Sequence, residues 1–140
     1  MTTHRLRTWL GQEDGMVTAF VVIFTLALLA MAGLVFDGGL ALSAKVRAIA
    51  DAQAAARAGA QAIDIPLYRQ SGQITLDAAQ AVADAQGSLA AAGEHGTVTV
   101  TGETVDVTVT ITQPTQILSV VGVDQLTVSG AGSATAEQGP

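Results

Sequence analysis

From Met16 to Phe36 the chain reads MVTAFVVIFTLALLAMAGLVF, 21 consecutive residues without a charge. An α-helix needs about 20 such residues to cross a hydrocarbon core roughly 30 Å thick. Twelve of the 21 are Val, Ile, Leu or Phe. At about −0.3 to −0.6 kcal/mol each near the helix centre, they favour insertion by an amount on the order of −5 kcal/mol. Backbone polar groups satisfy one another inside a helix, so the segment is stable in lipid. A buried core helix is the competing reading. It is disfavoured because 140 residues leave too little mass to cover 21 apolar positions on every side. Charged residues make up only 13% of the chain, about half the share usual in soluble proteins, which strengthens the membrane reading.

A secretory signal peptide is the second alternative. Arg5 and Arg7 would form its charged start, and Ala30-Met31-Ala32 has the A-x-A form of a cleavage site. The apolar run continues past it through Leu34, Val35 and Phe36, beyond the usual 7–15 residues of such a segment. Orientation is weakly encoded, with Arg5 and Arg7 before the run and Lys45 and Arg47 after it. The balance leans to a cytoplasmic N-tail over 1–15, a span over 16–36 and an extracytoplasmic remainder. Trp9 stands where an interfacial indole would anchor, or is an exposed tail residue.

No proline occurs before Pro66, and residues 37–64 are rich in alanine, the best helix former. The spanning helix is therefore expected to continue to about Asp64, a rod of roughly 70 Å at 1.5 Å per residue. Gly38-Gly39 is its weak point, costing about 1 kcal/mol per glycine and inviting a kink. Along it Ala41, Ala48, Ala55 and Ala62 recur every seven residues, with Ala44, Ala52, Ala58 and Gly59 between them. Such a small-residue seam admits close approach of another backbone. The alternative is a solvated stalk, but Arg47 and Asp51 form its only obvious i,i+4 ion pair. The seam (Ala41, Ala48, Ala52, Ala55, Gly59 and Ala62) is thus expected to pack on the C-terminal domain, on other copies, or on both. Asp37, followed by Gly38 and Gly39, marks the membrane boundary. It either simply ends the apolar run or makes a polar contact to a neighbouring subunit there.

Pro66 and Gly72 break the helix over 65–75. A second helix follows within 65–96, with Thr75 as expected N-cap, Asp77 in its first turn and Gly93 as its stop. Its expected buried face runs through Leu76, Ala79, Val82, Ala83 and Leu89. The period then changes. Thr97–Thr101 reads TVTVT and Thr104–Thr112 reads TVDVTVTIT, the strict alternation of half-buried strands. Gly102-Glu103 is a two-residue hairpin turn, and Pro114 closes the second strand. One short helical turn is expected over Ile117, Leu118, Val120 and Val121. Leu126 to Ser129 resumes the strand pattern, and from Gly130 the chain fades into small residues. The fold class is therefore α+β: a long N-terminal transmembrane helix continuing into an Ala-rich helix, a second helix, and a small antiparallel sheet of about three strands over 97–136, with a tail at 137–140. The long helix is the natural cover for the apolar face of the sheet.

The chemistry of a catalyst is not visible. With no Cys, disulfides, thiolate metal sites and thiol nucleophiles are excluded. Of the two histidines, His4 lies near the start and His95 lies in Gly93-Glu94-His95-Gly96, short of the three ligands a catalytic zinc needs. Ser88, Ser119 and Ser129 lack a nucleophile context, and no glycine pattern forms a phosphate loop. Six scattered Lys and Arg, none beyond Arg69, against a net charge of −6 exclude a nucleic-acid footprint. No enzymatic activity, metal or cofactor is expected.

Gly15 before the apolar run, Asp37-Gly38-Gly39, and Ala50-Asp51-Ala52 through Ala58-Gly59-Ala60 together give the chain a resemblance to TadE/TadG-like pilus-assembly proteins of the bacterial tight-adherence (Flp, type IV-like) system. The resemblance covers Gly15 to Ile63 and, more loosely, Pro114 to Thr135. It implies a membrane-embedded, pilin-like or pseudopilin-like accessory protein acting by helix packing with other pilus or pilus-assembly subunits, with self-association a further possibility. It also implies a processing site to consider at Gly15–Met16, since type IV prepilins are cut after a glycine. Their usual glutamate at the fifth mature position is here Phe20, so an uncleaved signal anchor is an equal reading. The alternatives from other classes are a membrane-anchored extracytoplasmic binding module unrelated to pili, and a secreted protein with a cleaved signal peptide.

Overall fold

The structure, a computed structural model, describes residues 13–137. The expectations placed on His4, Arg5, Arg7 and Trp9, and on the tail beyond Glu137, lie outside those residues. Helix α1 spans Glu13–Gly59, 47 residues without interruption. Its length follows from the absence of proline and the run of alanines, which leave nothing to break the hydrogen-bond ladder. Gly38-Gly39 stay helical. The chain nevertheless divides there into two compact units. One holds the chain up to Gly38 with Thr115–Asp124, and the other holds Gly39–Pro114 with the segment from Gln125.

The helix ends at Gly59, before the expected Asp64. Gln61 and Ala62 donate their N–H groups three residues back, to Ala58 and Gly59, which tightens and closes the last turn. Asp64 has another task as N-cap of a short helix α2, Ile65–Ser71, accepting the N–H of Leu67 at 3.0 Å. This helix stands where a break was expected. Pro66 lies in its first turn, where the missing N–H would have no partner in any case. Helix α3 is Ala78–Ala92. Its N-cap is Asp77, whose carboxylate accepts from Gln80 N at 3.1 Å. Thr75, the expected cap, instead offers its carbonyl to Asp64 N at 2.8 Å. The register of the helix accordingly buries Ala81, Ala85 and Leu89, while Ala79 and Ala83 are exposed. Gly93 closes the helix in the left-handed conformation, as its position predicts.

Three antiparallel strands follow: β1 Gly96–Thr101, β2 Thr104–Pro114 and β3 Gln125–Thr135, in the order β1-β2-β3. Thr101 pairs with Thr104 across the hairpin, and Gly102 takes φ 62° at the first turn position, as a primed two-residue turn requires. On β2, Val105, Val107, Val109 and Ile111 are buried, whereas Asp106, Thr108 and Thr110 face solvent. Strand β3 runs past Ser129 to Thr135, through the small residues from Gly130 and within the bounds expected for the sheet. Directly opposite the valines of β2 it places Gly130 against Val109, Gly132 against Val107 and Ala134 against Val105.

Those glycines explain the packing of this unit. A Cβ on Gly130 would lie 2.3 Å from Ile49 N and 2.5 Å from Ala48 C. One on Gly132 would lie 2.4 Å from Gln53 N and 2.6 Å from Ala52 C. Strand and helix backbones are thus in direct contact, and only side-chain-free positions permit it. Helix α3 meets the other side of the same face: Leu89 packs at Gly96, and Ala81 and Ala85 pack at Gly59. The core is therefore alanine on the helices against valine and glycine on the sheet.

Candidate functional site

Asp37 is the one buried carboxylate among the described residues, with 1% of its surface exposed. It ends the apolar run, and the helix carries it to the segment Thr115–Asp124 of its own unit. There it accepts three successive backbone N–H groups: Gln116 on Oδ1 at 2.8 Å, and Ile117 and Leu118 on Oδ2 at 3.0 and 2.7 Å. These amides open a 3-10 turn over Leu118–Val121, the short turn predicted after Pro114. Successive N–H groups pointing into one cup favour an anion, and the carboxylate supplies the charge. Its partner is the chain itself, in place of the neighbouring subunit that sequence offered as one reading.

The rest of the segment is closed by its own hydrogen bonds. Thr115 N donates to Asp124 O at 3.0 Å, and its hydroxyl donates to Val123 O. Val120, Gly122 and Val123 donate to Ile117, Ser119 and Leu118 carbonyls. Below Asp37 the segment lies on the helix at Gly33, where a Cβ would come within 2.8 Å of Ile117 Cγ2 and 3.4 Å of Leu118 Cδ2. Further along, Leu26, Leu29 and Ala30 share an apolar cavity of about 280 Å³ with Ile117, Leu118 and Val121.

The seam residues fall in the other unit. Ala48, Ala52 and Ala55 are fully buried, Gly59 is buried and Ala62 nearly so, while Ala41 remains half-buried. Ala44 and Ala56 join them. The close backbone neighbours at Ala48 and Ala52 belong to β3, so the chain's own sheet covers that part of the seam. The helix before Asp37 presents the opposite picture. Phe20, Ile23, Met31, Leu34 and Val35 are each more than half exposed, Val35 to 77%. This helix is long and apolar enough to cross a membrane. Gly15 and Met16 are exposed near its start. His95 is an exposed residue between α3 and β1. Among the described residues no three His, Asp or Glu side chains converge as a metal set.

Residues 15–62 match the family model described as "Putative Flp pilus-assembly TadE/G-like". The match covers about a third of the chain and coincides with the stretch from Gly15 to Ile63 on which the resemblance rests. It contains the apolar run, Gly33, Asp37 and the whole alanine seam. It stops before α2, so the sheet and the looser likeness at Pro114–Thr135 lie outside it. No curated protein and no solved structure matches the chain.

Three parts of this arrangement escaped sequence reading. The amides that hold Asp37 lie about 80 residues downstream and carry no side-chain signature. Gly33 carries nothing that sets it apart from the other small residues of a membrane helix. Gly130 and Gly132 show no apolar side chain, although their spacing of two beside Val128 continues the strand alternation.

Proposed function

We propose that the chain is a single-pass membrane protein accessory to assembly of a tight-adherence type pilus, pilin-like or pseudopilin-like in its organisation. The N-terminus lies in the cytoplasm, the helix crosses the bilayer over 16–36, and the unit containing the sheet lies outside the cytoplasm. The observation that carries this reading is the exposed apolar helix inside the segment matched to the pilus-assembly family. Its action is by packing of that helix with other pilus or pilus-assembly subunits, and not by catalysis. The contact surface is the part of α1 before Asp37, because the alanines after it are buried within their own unit. Small positions such as Ala19, Ala27 and Ala32 lie along that part and allow close helix approach.

Deletion of the gene in the native bacterium, followed by counting of surface pili by electron microscopy, tests the reading. Pili should be lost or sparse and return on complementation. Undiminished piliation would refute it. A complementing copy with bulky residues at Ala27 and Ala32 should be inserted and folded yet fail to restore pili.

A further inference from the structure

We infer that the Thr115–Asp124 segment is a second lipid-embedded element, which inserts its apolar turn into the same leaflet that surrounds the outer half of the helix. The inference rests on the reading that 16–36 spans the bilayer. Its argument is geometric. Gly33, Ala30 and Leu26 precede Asp37 by 4, 7 and 11 residues. At 1.5 Å per residue they lie roughly 6, 10 and 16 Å below it along the helix. Ile117 and Leu118 pack at Gly33, and Ile117, Leu118 and Val121 line the cavity reaching Leu26. The hydrocarbon core is about 30 Å thick, so lipid around Leu26–Gly33 must also surround this turn.

The chemistry of the segment agrees with that depth. From Pro114 to Val123 it carries no charge, and Asp124 follows where the chain leaves. At the tip of the turn the outward side chains are apolar, with Val120 86% and Val121 61% exposed, while Gln116 and Ser119 are the exposed polar residues of the segment. In water such exposure would be an unfavourable use of two valines; among acyl chains it costs nothing. The larger obstacle to non-helical backbone in lipid is unpaired N–H groups, each costing several kcal/mol. Here three of them enter the Asp37 carboxylate, and those of Thr115, Val120, Gly122 and Val123 end on carbonyls of the segment itself. Even the hydroxyls are used, with Ser119 donating to Gln116 O at 3.3 Å and Thr115 to Val123 O. The Asp37 carboxylate thus takes up three N–H groups that a turn at this depth would otherwise leave to a solvent that offers no hydrogen bonds.

The chain has no Cys, so single cysteines can be placed and spin-labelled in the full-length protein. Val121→Cys reports on the turn, Leu28→Cys on the span and Asp84→Cys on α3. Each is reconstituted in phosphatidylcholine–phosphatidylglycerol vesicles, and collisions with oxygen and with a water-soluble nickel chelate are compared. The Val121 label should lose nickel collisions and gain oxygen collisions as the Leu28 label does, while the Asp84 label stays open to nickel. Nickel access at Val121 with lipid exposure at Leu28 overturns the inference and leaves the span intact. Nickel access at both positions overturns the spanning reading and the inference with it. Shielding of Val121 from both reagents, with spin–spin broadening that vanishes on dilution with unlabelled protein, would show a second copy covering the turn and would also overturn it.

Discussion

Replacing Gly130 by alanine tests the packing of the sheet-bearing unit at its tightest point. The new methyl carbon would stand 2.3 Å from Ile49 N and 2.5 Å from Ala48 C, where ordinary contact begins at 3.4 Å. Strand and helix must therefore separate by about 1 Å, since both obstructing atoms are backbone and cannot rotate away. Overpacking of this kind costs typically about 1–3 kcal/mol, and a backbone obstruction belongs at the upper end. Alanine returns about 0.5–1 kcal/mol by restricting the unfolded chain. The net expectation is a loss of about 2 kcal/mol, or roughly 10 °C in Tm for a unit of this size. Gly132→Ala should behave alike, and the double variant should cost less than the sum, because one retreat of the helix relieves both contacts. Gly87→Ala is the control: it lies in α3 with nothing within 4 Å, so it should stabilise by up to about 1 kcal/mol. Scanning calorimetry of the full chain in detergent micelles reads all four. A Gly130→Ala protein melting at the wild-type temperature would refute the backbone contact.

Three further outcomes are expected. Asp37→Asn places an NH2 group against donors that now face a carboxylate oxygen, so amide exchange at Gln116, Ile117 and Leu118 should accelerate by roughly tenfold or more, while the β2 amides stay protected. Ala48→Trp should unfold the sheet-bearing unit and speed its proteolysis, whereas His95→Ala, at an exposed position, should leave both unchanged; proteolysis of the Ala48→Trp protein at the wild-type rate would count against the burial of the seam. Asp77→Ala removes the cap of α3 and should cost about 1 kcal/mol in the same calorimetry.

The long helix and the hairpin were legible because each is written in hydropathy. Met16–Phe36 carries no charge over 21 residues, which marks the helix, and Thr104–Thr112 alternates strictly, which fixes the strand and its buried face. Capping was legible to within two residues: Thr75 and Asp77 are both good caps, and only the tertiary hydrogen bond from Asp64 N to the Thr75 carbonyl selects between them. Pro66 misled because the same residue breaks a helix interior and opens a new helix, and local sequence does not distinguish the two. The glycine strand was illegible for a different reason. A position kept empty so that another backbone can enter has no side chain to reveal it. Asp37 drew notice as the charge that ends the apolar run. Its role was hidden because backbone amides, the partners it takes, are present at nearly every residue of the chain.

The whole account depends on residues 16–36 remaining in the bilayer of the native cell as part of the working protein. Recovery of the chain from native membranes after an alkaline carbonate wash, with its mass and first residue determined, is the direct measurement. The chain should stay with the membrane pellet and begin at or before Met16. A carbonate-soluble chain that begins after Ala32 would contradict the account.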